Sequence, residues 1–357
     1  MNKTAKNSMI YLSGTVTTGI LSFISTLVLT RVFSQKVYAM YGLLTTFHTM
    51  FTMIVSFGYD SAYMRFYYKQ PFTGKRYLAE CLKVPAVLFV LSALLLVEPG
   101  QHIIRFIFEE RLARYIALLL IVYFFFSFIS RFSLLTARME ERAGNFVISN
   151  FVGKVGFLGI LAIVFFIAGS VSFDWVIISH AIAAVMATMI NLVVYKKIWN
   201  RKNEKSETFE RIELLKYGFP IMVNSAVALS TPFAEKLIIK GLAGWEILSV
   251  YTAAAIFQTV VLLLVATITN IWTPLVFKIC EDEKKFKHIL HNFGMVATIL
   301  MALGTSMCIL LRRWLVLLLD EKYFSVHIIA PVMLLAACFN MLFVIYSVGI
   351  NIKKKTW

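Results

Sequence analysis

The sequence predicts an all-α integral membrane protein of about ten transmembrane helices, and three observations carry that prediction. Apolar residues make up 59% of the 357 positions and charged residues only 15%, whereas soluble domains carry about 25% charge. Mean hydropathy is +0.78. Apolar stretches of about 20 residues, the length set by ~30 Å of hydrocarbon at ~1.5 Å rise per residue, recur from one end to the other.

The predicted spans are Ser8–Thr30, Ala39–Tyr59, Leu82–Val97, Tyr115–Leu135, Phe146–Ala168, Trp175–Tyr195, Tyr217–Ile239, Leu248–Val276, Ile289–Leu311 and Val326–Ile350. The third is short and holds Pro85. These segments are twice the length of a barrel strand and lack apolar/polar alternation, which argues against a β-barrel. Helices satisfy their own backbone groups in lipid. Lys3 and Lys6 precede the first run as in a signal peptide, but that run exceeds a signal's apolar core and more spans follow, so an uncleaved first helix is expected.

Lys and Arg fix the expected orientation. With the N-terminus inside, well over half of the 35 basic residues fall on the cytoplasmic side, as positive-inside bias requires. Topology accounts for most of the +16 net charge, and no nucleic-acid partner is invoked. Both termini are expected in the cytoplasm. The four cysteines, Cys81, Cys280, Cys308 and Cys338, lack CxxC spacing, so neither disulfides nor a metal cluster is expected.

The polar run Lys196–Lys216 follows six spans and divides the chain. Residues 1–198 are expected to form a six-helix lobe, 199–216 a cytoplasmic linker, and 217–357 a lobe of four helices. The linker can form an amphipathic helix on the cytoplasmic surface, and it is either simply solvated or a regulatory or partner-binding element. A faint repeat supports two lobes: YGLLTTFHT from Tyr41 and YTAAAIFQT from Tyr251. Six spans between them make the repeats parallel, an arrangement of two-halved transporters.

No nucleophile elbow, Walker loop or HExxH occurs, and neither an enzyme nor a cofactor is implied. Interest falls on polar groups within the spans, each costing about 2.5–3.5 kcal/mol at mid-bilayer on insertion scales. In the seventh span Pro220, Asn224, Ala228, Thr231 and Glu235 recur at helical spacing and share one face. Glu235 and Lys236 either pair locally or border a cavity. In the fifth, Asn150 and Lys154 share a face, and Lys154 either snorkels to the surface or meets a wet lumen. Gly153, Gly156 and Gly159 form a stripe suited to close helix packing. Asp60 and Arg65, in FGYDSAYMRFYYK, either clamp a helix end or meet an anionic head group, and Arg31 is a boundary anchor or a ligand. His48 and His180 are intramembrane, each suited to an interhelical hydrogen bond or a proton relay.

The opening NSMIYLSGTVTTGILSFISTLVLTRVFSQKVYAMYGLL, the FGYDSAYMRFYYK segment, RMEERAGNFVISN and LLKYGFPIMVNSAVALSTPFAEKLIIKGLAGWEILSVYTAAAIF together resemble the polysaccharide-biosynthesis flippases. This is the Wzx-type branch of the multidrug/oligosaccharidyl-lipid/polysaccharide exporter superfamily. The resemblance implies a MATE-like architecture of two helical bundles around a central cavity. It also implies flipping of undecaprenyl-pyrophosphate-linked sugars across the bacterial inner membrane by alternating access. Arg31, Asp60, Arg65, Glu235 and Lys236 match charged positions of the family pattern, which makes them candidates for cavity or gate. The family usually has twelve or more spans, so an incomplete second lobe is expected here.

The expected partners are the lipid-linked oligosaccharide, membrane lipids, and a polysaccharide polymerase or glycosyltransferases. A cation-coupled multidrug exporter of the same superfamily is the nearest alternative, and basic residues in the spans count against it. A non-transporting scaffold for glycan-assembly enzymes is a further one. A membrane-embedded glycosyltransferase is disfavoured by the lack of large loops bearing acidic residues.

Overall fold

The computed structural model describes residues 3–67, 75–97, 100–110, 113–140, 143–194, 211–279 and 283–352. Most of the expected linker and Cys280 lie outside these residues. Within them the chain is helical: α1 Lys3–Val32, α2 Gln35–Ser56, α3 Tyr59–Phe66, α4 Lys75–Val97, α5 Gly100–Phe108 and α6 Arg114–Met139. There follow α7 Ala143–Ala168, α8 Phe173–Val194, α9 Arg211–Ile279, α10 Glu283–Val316 and α11 Val326–Ile352.

Seven of these helices contain stretches long and apolar enough to cross a bilayer, and the bent pair α2–α3 makes an eighth. The stretch Ile212–Thr259 runs through the whole seventh predicted span and into the eighth, joined in α9 across a break at Gly244 (φ 80°). In α1 the described apolar part is Val16–Val32. Phe166, Ile167, Leu242 and Leu310 are each at least 80% exposed. A water-soluble protein would not leave so many large apolar side chains bare, whereas a lipid-facing surface requires them. The chain is a multi-pass membrane protein.

Two compact units form. One comprises residues 1–14 and 32–248, the other 15–31 and 249–357. In the first, α6 buries Ile116, Leu120, Phe124, Phe128 and Phe132, a four-residue step that lays one apolar stripe along the helix. Polar bonds fix its register on α8: Thr188 Oγ1 donates to the Phe126 carbonyl at 2.8 Å, and Asn191 Nδ2 to Ser130 Oγ at 3.0 Å. Small residues set the spacing of α7 from α8. A Cβ at Gly153 would lie 3.6 Å from Ala187 Cβ and one at Gly156 3.9 Å from Ala183 Cβ, while Gly159 faces open space.

The first arm of α9 runs antiparallel to α2 and α3. Gly218 meets Gly58 backbone to backbone, Phe219 packs on Phe57, Ser230 lies against Met50 and Phe233 packs on Phe47. The bend of 58° between α2 and α3 sits at Phe57 and Gly58, both left-handed (φ 50° and 72°). A helix cannot pass through two such residues.

In the second unit Val265, Ala297, Met301, Cys338, Met341 and Ile345 form a core shared by α9, α10 and α11. The later part of α1 joins it through Phe23, whose ring meets Phe257 edge-on at 6.3 Å.

Candidate functional site

The polar face foreseen on the seventh span is present on the first arm of α9. Asn224, Ala228, Thr231 and Glu235 are exposed, as is Pro220. The opposite side, with Gly218, Ser230, Phe233 and Lys236, packs within the first unit. Successive helical residues point about 100° apart, so Glu235 and Lys236 diverge. Lys236 Nζ donates to the Gly42 carbonyl at 2.7 Å and to Thr46 Oγ1 at 2.6 Å. It therefore ties α9 to α2 by charge-assisted hydrogen bonds.

The other candidates occupy separate settings. Asp60 is 4% exposed, receives the backbone N–H of Ser61 at 2.8 Å, and pairs with Arg131 Nη2 of α6 at 2.5 Å. Arg65 is exposed, and the clamp runs from Asp60 to Arg131 across to another helix. Arg131 also points at Met53 Sδ (2.9 Å), and its Nε is buried without a hydrogen-bond partner among the described residues. Sequence reading passed over Arg131 because it sits four residues before the predicted end of its span, where an Arg ordinarily reads as a boundary anchor. Asn150 and Lys154 are partly buried on α7. Arg31, in the second unit, is exposed and donates to the Leu318 carbonyl at 3.3 Å.

Neither intramembrane histidine makes an interhelical hydrogen bond among those described. His48 Nε2 lies 3.3 Å from Thr52 Oγ1, one turn along its own helix, and His180 Nε2 is buried without a partner. Aromatic rings surround both.

A latch closes the end of the first unit where α5 meets α9. Lys240 Nζ donates to the carbonyls of Phe106 (2.8 Å) and Ile107 (3.1 Å), the unsatisfied C-terminal acceptors of α5 that a cation caps well. It also pairs with Glu109 at 3.2 Å and lies over the Phe106 and Trp245 rings. Trp245 Nε1 donates to Glu109 Oε2 at 2.8 Å, and Lys36 pairs with the neighbouring Glu110 at 2.7 Å.

The Trp245 indole hydrogen bond and then Lys240 hold the Glu109 carboxyl below its ordinary range. A lowered acid pKa stabilises the latch above the ordinary carboxylate value of about 4.3, and that contribution is lost as pH falls through the folded value. Trp245 fluorescence, taken as the difference from Trp245→Phe, is expected to stay constant at neutral pH and to change only in acid below the ordinary carboxylate range. Glu109→Gln is expected to abolish that acid transition. Persistence of the transition in the variant would assign it elsewhere.

Comparison with known proteins places these features on a shared fold. The structure is similar to an inward-facing multidrug resistance MATE family transporter of the MOP superfamily, with a TM-score of 0.65 at 15% identity over 94% of this chain and 86% of the other. It is also similar to a mutant of the MATE transporter VcmN from Vibrio cholerae, with a TM-score of 0.56 at 13% identity, covering 99% of this chain and 86% of that one. No curated protein matches the chain. Residues 4–280 match the family described as polysaccharide biosynthesis protein, and with a fold shared by MATE transporters the chain belongs to the polysaccharide biosynthesis protein family.

Proposed function

We propose that this protein flips an undecaprenyl-pyrophosphate-linked oligosaccharide across the bacterial inner membrane by alternating access, supplying surface polysaccharide assembly. The observation that carries the reading is the exposed polar stripe of Asn224, Thr231 and Glu235 on a membrane-length helix. Polar groups at that depth are costly against lipid and inexpensive against water. The stripe would line the path of the head group, with Arg65, Asn150 and Lys154 of the same unit supplying charge and polarity to that path. Few cations suffice in a low-dielectric surrounding to hold a pyrophosphate. Both termini lie in the cytoplasm in this proposal, and a polymerase or glycosyltransferases would take up the product.

Lys154→Ala and Glu235→Ala are each expected to slow flipping in proteoliposomes at least about tenfold, the effect of losing ~1.4 kcal/mol of favourable interaction, with normal amounts of protein in the membrane. Wild-type rates in both would remove these residues from the mechanism. A cysteine at Asn224 is expected to react with a membrane-impermeant thiol reagent, and protection matching that of lipid-facing Leu242→Cys would remove the lumen. Deletion of the gene should build up lipid-linked oligosaccharide on the inner leaflet, relieved by this chain. Resistance to cationic dyes without such build-up would favour the drug-exporter reading instead.

A further inference from the structure

Three helices of the first unit place two imidazoles on one phenol ring. His48 of α2 stacks on Tyr123 of α6 at 4.5 Å and 24°, and Tyr123 lies 4.9 Å from His180 of α8 at 30°. Phe157 of α7 stacks on His180 at 4.0 Å and 21°, and Tyr41 of α2 lies nearly parallel to it at 5.8 Å and 9°. His180 is thus attended by three aromatic rings, while its Nε2 is buried with no hydrogen-bond partner among the described residues.

A histidine retained only for packing would be expected to satisfy that nitrogen, because buried polar atoms are almost always bonded. A phenyl ring would fill the same stack without the unsatisfied atom. The faces of Tyr and Phe rings carry negative quadrupole charge and attract cations, most strongly where water is excluded. An imidazole boxed by such faces has a use for its second nitrogen if it takes up a proton.

We infer that His48 and His180 form a one-proton binding site inside the first unit, with the imidazolium held by the rings of Tyr41, Tyr123 and Phe157. One proton is the capacity because the two imidazoles flank the same ring, and like charges at that separation repel. The remaining charged groups set the field. Arg131 of α6 bears the same charge as an imidazolium at His48 and so opposes a proton there, and it is itself paired with Asp60 of α3. On α7 Lys154 lies about one turn from Phe157, and on α8 Asp174 lies nearly two turns from His180.

The test uses the full chain, labelled with ¹⁵N-histidine and held in lipid. Only six histidines occur, so the His180 signal is assigned by its loss in His180→Gln. Over a titration from about pH 8 down to about pH 3.5, some three units below the unperturbed imidazole value of about 6.5, the His180 ring is expected to pass from a neutral tautomer to imidazolium. In His48→Gln its midpoint is expected to rise by about one pH unit, a tenfold gain in proton affinity from removing the competing ring. A His180 ring neutral throughout, or a midpoint indifferent to His48→Gln, overturns the site. A second arm rests on the flippase reading: flipping should respond to an imposed proton gradient in the wild type and lose that response in His180→Gln. No flipping by the wild type would defeat the flippase reading while the resonance titration stood. Gradient-driven flipping retained in His180→Gln would remove the site from coupling.

Discussion

Asp60→Leu is expected to destabilise the protein by about 1–3 kcal/mol, less than a fully buried pair would lose because the Arg131 side chain is 34% exposed. The carboxylate is 4% exposed, and Arg131 reaches it from α6, 71 positions along the chain. Within the described residues Arg131 has no second charged partner: its other contact there is a thioether, and its Nε is buried without a hydrogen bond. Arg131→Met alone should cost less, since Asp60 keeps the Ser61 N–H and can escape by protonation. The double variant Asp60→Leu with Arg131→Met is expected to regain most of the loss, because a pair of similar-sized apolar groups needs no desolvation. Thermal unfolding of the four proteins in one detergent provides the cycle. Additive losses would show that the pair does not act as a unit.

That pair also marks the limit of what the sequence discloses. Helix positions were legible because membrane insertion is a matter of composition and length: every predicted span falls on helix, although seven helices, or eight with the bent pair, are membrane-length among the described residues and the short α5 was not foreseen. The polar face of Asn224, Thr231 and Glu235 was legible for the same reason, since helical spacing alone puts those residues together. The glycine stripe of α7 was legible to two of its three members. Gly153 and Gly156 face the alanines of α8, while Gly159 faces open space, because a stripe names a face without stating how far the neighbour extends along it. Partners were not legible. Asp60 has Arg65 nearby in sequence and Arg131 nearby in space, and local spacing favours the former. Lys236 looked like the companion of Glu235, yet the turn of the helix sends it to Gly42 and Thr46. Which helix lies beside which is set by packing of surfaces distant in sequence, and a single chain carries no direct record of it.

Gly58 is where such a distant contact should be most costly to disturb. Two separate penalties meet there. Its φ of 72° is a conformation that costs an L-residue roughly 1–2 kcal/mol, and a Cβ would run into the carbonyl oxygen of Gly218. Because the obstacle is backbone, relief requires α9 to move away from the bend in α2–α3, and overpacking of that kind costs about 1–3 kcal/mol more. Two other glycines separate the terms. Gly169, just past the end of α7, has a positive φ of 69° but open space around it, so Gly169→Ala should show the conformational penalty alone. Gly241 has open space and no positive φ, so Gly241→Ala should be neutral or raise stability by about 0.5–1 kcal/mol through helix propensity. The expected order of loss is Gly58→Ala, then Gly169→Ala, then Gly241→Ala, read as thermal midpoints in one detergent. Equal midpoints for the first two would mean that Gly218 yields freely, and that the close crossing of α9 over the bend does not hold this unit together.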